Sequence, residues 1–443
     1  MSRALPRDRE ALVVANKHLT WAELRDSAII LTKTHRTLSR RRVGLRFRPA
    51  LSSFALLFAL EALEADVVLL DGRLADEEAK ELAQTFRLAA LLSPTVDSDP
   101  AVVGGDAFPD EAPSSGSASV TILTSGTTGK PKAAHHTWES LSRPARRLQN
   151  SLAPRWMQTY RPNLYAGLQV LLQCFVNYGT LYVPQEGCGP SEVASFMATH
   201  RVQYISATPS YWRWLLLFAD SATLNSASPL QITLGGEVVD QSILNSLKTR
   251  FPKARIVHIY ATTELGRCFS VSDVLEGFPS KFLDVPSPDG VEMRIRDSEL
   301  LVRSANAMLG YDPFSSQTGF SGDWISTGDM VSVRGDRVVF TGRKSDIINV
   351  GGNKVHPVEV ERVLRSVPGV LDVRVFGKHS SVAGQLVACE IVSDKIRSDD
   401  ELREDVRRAC QVSLSSFQRP RFIGIVDQIE LSSAQKIVRN RSH

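Results

Sequence analysis

The sequence predicts an α/β fold: a large N-terminal domain of helix-flanked sheets carrying a small β-barrel-like subdomain, followed by a small α+β C-terminal domain. Three observations predict it. At 443 residues the chain exceeds the span that one hydrophobic core usually serves, so two or more domains are expected. Between Val43 and Leu92 short apolar runs alternate with amphipathic stretches, the signature of a parallel sheet flanked by helices. From Ser280 to Arg343 β-like pieces alternate with turns, which predicts a small antiparallel barrel or sheet.

In chain order, His18-Leu-Thr-Trp-Ala-Glu-Leu-Arg25 reads as a strand end and then a helix, with Thr20 as N-cap and Glu23 at the capping-box position. Strands are expected at 43–47, 66–71 and 88–92, and helices at 52–65 and 77–87. Pro94–Ser119, rich in Ser, Gly, Pro and Asp, reads as a surface connection. Helices are expected from Leu168 and over 192–200, and Gln203–Leu217 reads as strand, Pro-terminated turn and helix. Strands follow at 231–234 and 256–264, then the β pieces at 291–295, 299–303, 330–333 and 338–341. Beyond them come a strand, a Gly-rich turn and a helix with Pro357 in its first turn, then strands at 371–376, 386–392 and 421–426 and a helix at 399–412. These make a unit of about one hundred residues, an ordinary domain size.

Bulk properties exclude several classes. Hydrophobic content of 43% and charged content of 23% describe an ordinary globular protein. A net charge of +4 with no long basic tract does not imply nucleic acid. The short runs Arg40–Arg42 and Arg407–Arg408 read as solvated helix faces or ends. Five scattered cysteines, without a CxxC pair, suit reduced thiols in a cytoplasmic protein and give no metal framework. The N-terminus lacks the apolar region of a signal peptide, and the apolar run Phe54–Leu63, which contains Glu61, is too short to span a bilayer.

One stretch carries chemistry. Val120-Thr-Ile-Leu-Thr-Ser-Gly-Thr-Thr-Gly-Lys-Pro-Lys132 is a short apolar strand running into a loop of hydroxyls, glycines and lysines. Gly126 and Gly129 let the backbone approach an anion, Thr124, Ser125, Thr127 and Thr128 offer hydroxyls, and Lys130 and Lys132 add positive charge. That composition fits a phosphate cradle, and equally a flexible linker. It is not a P-loop, because only two residues separate the glycines and Pro131 follows Lys130.

The order Thr-Ser-Gly-Thr-Thr-Gly-Lys-Pro-Lys resembles the phosphate-binding signature of the adenylate-forming superfamily of acyl-CoA synthetases, adenylation domains and luciferases. Later segments match the same family in the right order, so the resemblance runs over nearly the whole chain. It implies that Gly235-Gly236-Glu237 lies against adenine, and that Tyr260 stacks on it. It implies also that Thr263 bonds the α-phosphate, Glu264 holds Mg²⁺, Asp329 accepts from the ribose hydroxyls and Arg343 contacts the nucleotide. The boundary between domain 1–342 and a mobile lid, 347–443, falls at a hinge, 343–346, with Ser345 as pivot. Gly351 and Gly352 then line a pantetheine tunnel, and Lys436 matches the adenylation lysine. The chain departs from the family at Ala133, Trp138, Leu164, Tyr165 and Gln435, and its first subdomain is trimmed. Part of the acyl wall is implied near Tyr211, Trp212 and Trp214, residues that suit the core as well.

The implied activity is a two-step ligase. ATP and Mg²⁺ convert a carboxylic acid to acyl-AMP and pyrophosphate, then CoA, a carrier-protein phosphopantetheine or an amine takes the acyl group. No aspartate stands in Arg161–Gly167 to pair a substrate ammonium, which favours an unaminated aryl or short-to-medium aliphatic acid. The rival from another class is a degenerate nucleotide-binding scaffold.

Overall fold

The computed structural model of the chain describes residues 5–94, 105–107, 118–124, 132–149, 153–314, 324–380, 384–432 and 436–437. Two sheets with parallel centres form the body. The first runs Gly310–Tyr311, Lys132–Thr137, Ser119–Thr124, Asp66–Asp71, Arg42–Phe47, Ala90–Leu92, Gly105–Ala107, parallel at its centre and antiparallel at both edges. The second places Arg255–Thr262, Gln231–Leu234, Tyr204–Ala207, Arg155–Met157, Thr180–Val183 and Glu10–Val14 parallel, with Gly266–Val271 and Lys17–Thr20 antiparallel at the ends.

Helices Leu51–Ala62 and Tyr165–Val176 lie in the core that joins the two sheets. Leu51–Ala62 is apolar nearly all round because it is buried nearly all round, Phe54, Leu56, Leu57 and Leu60 being fully enclosed. Each such side chain contributes roughly 1.5–3 kcal/mol of burial. The outer face of the second sheet is covered by helices Pro190–Thr199, Pro209–Phe218 and Gln241–Arg250, where Trp212 is wholly buried, so it is a core residue.

Five antiparallel strands, Phe278–Pro279, Arg337–Arg343, Ile325–Arg334, Glu299–Ser304 and Val291–Arg296, make the small subdomain. The C-terminal unit packs helices Pro357–Arg365 and Asp399–Ser413 on the long hairpin Val370–Ser380/Gly384–Ser393, with Phe422–Val426 alongside. Local signals are obeyed where they were strongest. Thr20 accepts from Glu23 N (3.2 Å) while Glu23 Oε2 accepts from Thr20 N (2.8 Å), and Pro357 opens its helix.

Tertiary pairing changes three expectations. Within 94–119, Gly105–Ala107 pairs with Ala90–Leu92 instead of being connection alone. Thr327-Gly-Asp329 lies inside a ten-residue strand that starts well before 330. Arg42 is not a solvated basic residue: it is 5% exposed, paired with Asp312 and 3.5 Å from Asp66, since a strand position facing the sheet's edge elements has no water to offer a charge.

Candidate active site

The C-terminal ends of parallel strands carry the site, where helix and sheet geometry leaves a crevice. Gly235-Gly236-Glu237 leaves Gln231–Leu234, Thr263 and Glu264 follow Arg255–Thr262, and Ser119–Thr124 leads toward the 125–131 loop. Asp329 and Arg343 are cross-strand partners in the small subdomain. Lys436 comes from the tail, which folds back on itself through a Leu431/Ile437 bridge.

Tyr260 is fixed before any ligand arrives. Its ring stacks on Phe269 with centroids 5.6 Å apart, tilts against Phe340 at 5.0 Å, and its hydroxyl donates to Asp329 Oδ2 at 2.6 Å. Burial, and then the Asp329 charge, pushes the phenol well above the ordinary range, so it is a permanent donor. Arg343 Nε donates to Asp329 Oδ1 at 2.8 Å. A carboxylate offers about four acceptor sites, so Asp329 retains acceptors for outside hydroxyls after satisfying these two donors.

Gly236 has φ +85°, a conformation that favours glycine. A Cβ there would sit 3.4 Å from Lys436 Cε, so the lysine stem passes directly over this backbone. The Glu237 carboxylate is engaged within the protein: its Oε2 accepts from Ser210 N at 3.0 Å and its Oε1 from Ile437 N at 2.8 Å. It therefore ties the tail to the start of helix Pro209–Phe218. Lys436 is an exposed residue, yet surrounding protein and then Arg343 hold its ammonium below the ordinary lysine value, against Glu237, Asp329 and Glu264, which pull it up.

Thr263 is anchored by a residue that motif reading missed. His136 Nε2 lies 2.8 Å from the Thr263 carbonyl, which can only accept, so that nitrogen carries the proton. His136 is fully buried, and burial holds its pKa down to about 4. Its only sequence signal is the His135-His136 pair after the glycine loop. Glu264 Oε1 accepts from Tyr311 OH at 3.2 Å, and its backbone carbonyl from Met308 N at 2.8 Å. Among the described residues no group of three or more His, Cys, Asp or Glu is placed to hold a metal. One carboxylate beside substrate phosphates still suits Mg²⁺, which keeps waters and takes few protein ligands.

Of the glycine loop, Thr124 and Lys132 are described, half-buried and directly paired across the hairpin, so they close its neck. Ser125, Gly126, Thr127, Thr128, Gly129 and Lys130 lie outside the described residues, as does Gln435. Ser345 sits in the short turn Lys344–Asp346, its hydroxyl on Asp346 at 2.9 Å. Gly351 and Gly352, with φ +55° and +87°, turn between two short strands and face open space. Arg161 pairs with Asp71 at 2.5 Å.

Residues 43–312 match the family of AMP-binding enzymes, and residues 359–436 match the AMP-binding enzyme C-terminal domain. The chain is 25% identical to the 2-succinylbenzoate–CoA ligase of Listeria monocytogenes, over 97% of this chain and 95% of that protein. It is also 25% identical to a long-chain-fatty-acid–CoA ligase of Mycobacterium tuberculosis, over 82% and 71% of the two chains. In fold it is similar to an anthranilate CoA ligase solved with anthranoyl-AMP, with a TM-score of 0.80 at 20% identity over 98% of this chain and 93% of the other. Both the body and the C-terminal domain find their counterparts there, and the chain belongs to the AMP-binding, adenylate-forming family of enzymes.

Proposed function

We infer that this chain is an AMP-forming acid–CoA ligase. In the first half-reaction a carboxylate oxygen attacks the α-phosphorus of ATP, forming acyl-AMP and releasing pyrophosphate. In the second, the CoA thiol loses its proton and its sulfur attacks the acyl carbon, the C–O bond breaks, and AMP leaves. The reading rests most on one observation: Lys436, from the tail, lies over Gly236 within the field of Asp329, Glu264 and Arg343.

The barrier of the first step is largely charge, since an anion must approach a polyanion. An ammonium positioned in advance, beside charges already arranged around it, lowers it more than one recruited from water does. In this reading Lys436 offsets the negative charge of the incoming carboxylate and stabilises the charge that develops on the α-phosphate oxygens. Asp329 receives the ribose hydroxyls while Tyr260 and Arg343 hold its carboxylate still. The His136 bond to the Thr263 carbonyl keeps the Thr263 hydroxyl turned to the phosphate. Glu264 would hold Mg²⁺, which would neutralise part of the phosphate charge. Glu237 serves the tail rather than the adenine. For the second step the lid turns about Ser345, withdraws Lys436 and brings Gly351 and Gly352 to the thiol's path.

The substrate class is an unaminated acid, aryl or short-to-medium aliphatic, because the Arg161–Gly167 phrase has no acidic residue to pair an ammonium and its one cation is already matched by Asp71. Cytoplasmic residence is favoured by the five free cysteines. No helix among the described residues is long and apolar enough to cross a membrane.

The test is acid-dependent pyrophosphate exchange across aryl and aliphatic acids, followed by transfer from each active acid to free CoA, carrier-protein phosphopantetheine or an amine. Thioester with free CoA is expected. Exchange with transfer only to a carrier or an amine would change the acceptor, and no exchange with any acid would favour the scaffold.

A further inference from the structure

Where the lid's first helix meets the body, five charged side chains are buried together. From the body come Arg213, in helix Pro209–Phe218, and Asp240, the N-cap of helix Gln241–Arg250. From the lid come Glu361 and Arg365, on helix Pro357–Arg365, and Asp372, on strand Val370–Ser380. Each is nine-tenths or more shielded at its side chain, the most open being Asp372 at 10%.

Sorting the contacts by side shows how the cluster is built. Within the body, Arg213 and Asp240 pair at 2.5 Å, and Asp240 Oδ1 also accepts from Ser242 Oγ and Ile243 N. Within the lid, Arg365 lies 3.5 Å from Glu361 and 3.7 Å from Asp372, and donates to the Val373 carbonyl at 3.1 Å. Across the junction run two contacts, Arg365 to Asp240 at 3.3 Å, closer than either carboxylate Arg365 meets on its own side, and Arg213 to Asp372 at 3.9 Å. Every cation thus has a carboxylate on its own side. Stripping a buried charge of its partner costs so much that a junction made only of cross pairs would not open. This one opens with each of the five buried charges still paired, while the flanking Arg362–Glu276 pair, 3.4 Å across the junction, is partly exposed and its charges return to water. A shift that brings Arg213 toward Arg365, or Asp240 toward Asp372, sets like against like, which favours the docked register. Asp240 stands three residues after Glu237, which holds the N–H of Ile437 beside Lys436, so one short segment docks both the lid helix and the tail.

We propose that Arg213, Asp240, Arg365 and Asp372 form a separable ionic seam that positions Lys436 for adenylation and parts when the lid turns. The seam rests on the reading of Lys436 given above, but its test does not.

Spin labels at Ser246→Cys and Glu404→Cys, both exposed, in a Cys188→Ser background, report the body-to-lid distance without any substrate. One dominant distance is expected in the otherwise native protein. Arg365→Gln and Arg213→Gln should each open a second population, and Arg365→Lys should restore part of the first. Lys395→Gln, which breaks an exposed pair inside the lid, should change nothing. An unchanged distribution in Arg213→Gln and Arg365→Gln overturns the seam, whatever the enzyme proves to do. If Arg365→Gln does not fold, Arg213→Gln decides. Once an acid substrate is known, the seam variants should lose pyrophosphate exchange about tenfold or more while keeping thioester formation from supplied acyl-AMP. Equal loss in both half-reactions would reduce the cluster to a structural role.

Discussion

Asp329 and Lys436 lie within reach of each other's charge and are held in opposite ways. Asp329 is 7% exposed in the middle of a long strand, with Tyr260 on one oxygen and Arg343 on the other, and Tyr260 is itself packed against Phe269 and Phe340. Lys436 stands on a tail tied down by the Leu431/Ile437 bridge and the Glu237 bond to Ile437 N. A group used in every stage of a reaction is served by burial and several bonds, which remove reorganisation. A group needed for one stage only is served by few bonds, which can be broken at small cost.

The largest expected effect breaks the mobile side of this comparison. Lys436→Ala should lower pyrophosphate exchange by roughly 10²–10³-fold, the scale of losing one preorganised charge, while thioester formation from supplied acyl-AMP is largely spared. Equal loss of both steps would remove the idea that the lysine serves one stage.

Asp329→Ala probes the fixed side. It should raise KM for ATP in the first half-reaction and weaken acyl-AMP use in the second. It should also cost about 1–3 kcal/mol of stability through the buried Tyr260 hydroxyl left without its acceptor. A variant that is impaired in only one half-reaction would show that the carboxylate does not serve both.

Glu237→Ala sharpens the contrast. Losing the acceptor for Ile437 N should slow adenylation by about tenfold without affecting the second step, because the tail is then misplaced, not absent. If nucleotide affinity falls instead, Glu237 belongs to the adenine site after all.

The smallest effect on activity is expected behind Thr263, where the readout is stability. His136, buried and neutral, has its pKa lowered from 6.5 to about 4. The unfolded chain therefore binds this proton first as pH falls. Stability is whole above about pH 6.5 and is lost progressively toward pH 4, by about 3 kcal/mol at most. His136→Gln should flatten that part of the urea-denaturation pH profile, and an unaltered slope would assign it to another group.

Much of this was legible in one dimension because the signals are local. Capping residues, the Pro357 helix start and the apolar strands at 66–71 and 231–234 are properties of a few neighbours. Tyr260, Thr263, Glu264, Asp329, Arg343 and Lys436 stood out because their neighbours form ordered phrases. His136 did not, since its partner is the Thr263 carbonyl, 127 residues away. Arg42 was misjudged for the same reason, its partner Asp312 lying 270 residues along the chain.

Chain order alone settled the α/β alternation, the antiparallel insert and the small terminal domain, because periodicity and turn chemistry act over a handful of residues. It could also place a lysine near the end of the chain and an acid at 329. Only the folded arrangement decided that Glu237 grips the tail, that Asp329 is braced by Tyr260 and Arg343, and that five charges meet beneath the lid. Those are pairings between distant segments, and their energies depend on burial, which exists only once the elements have packed.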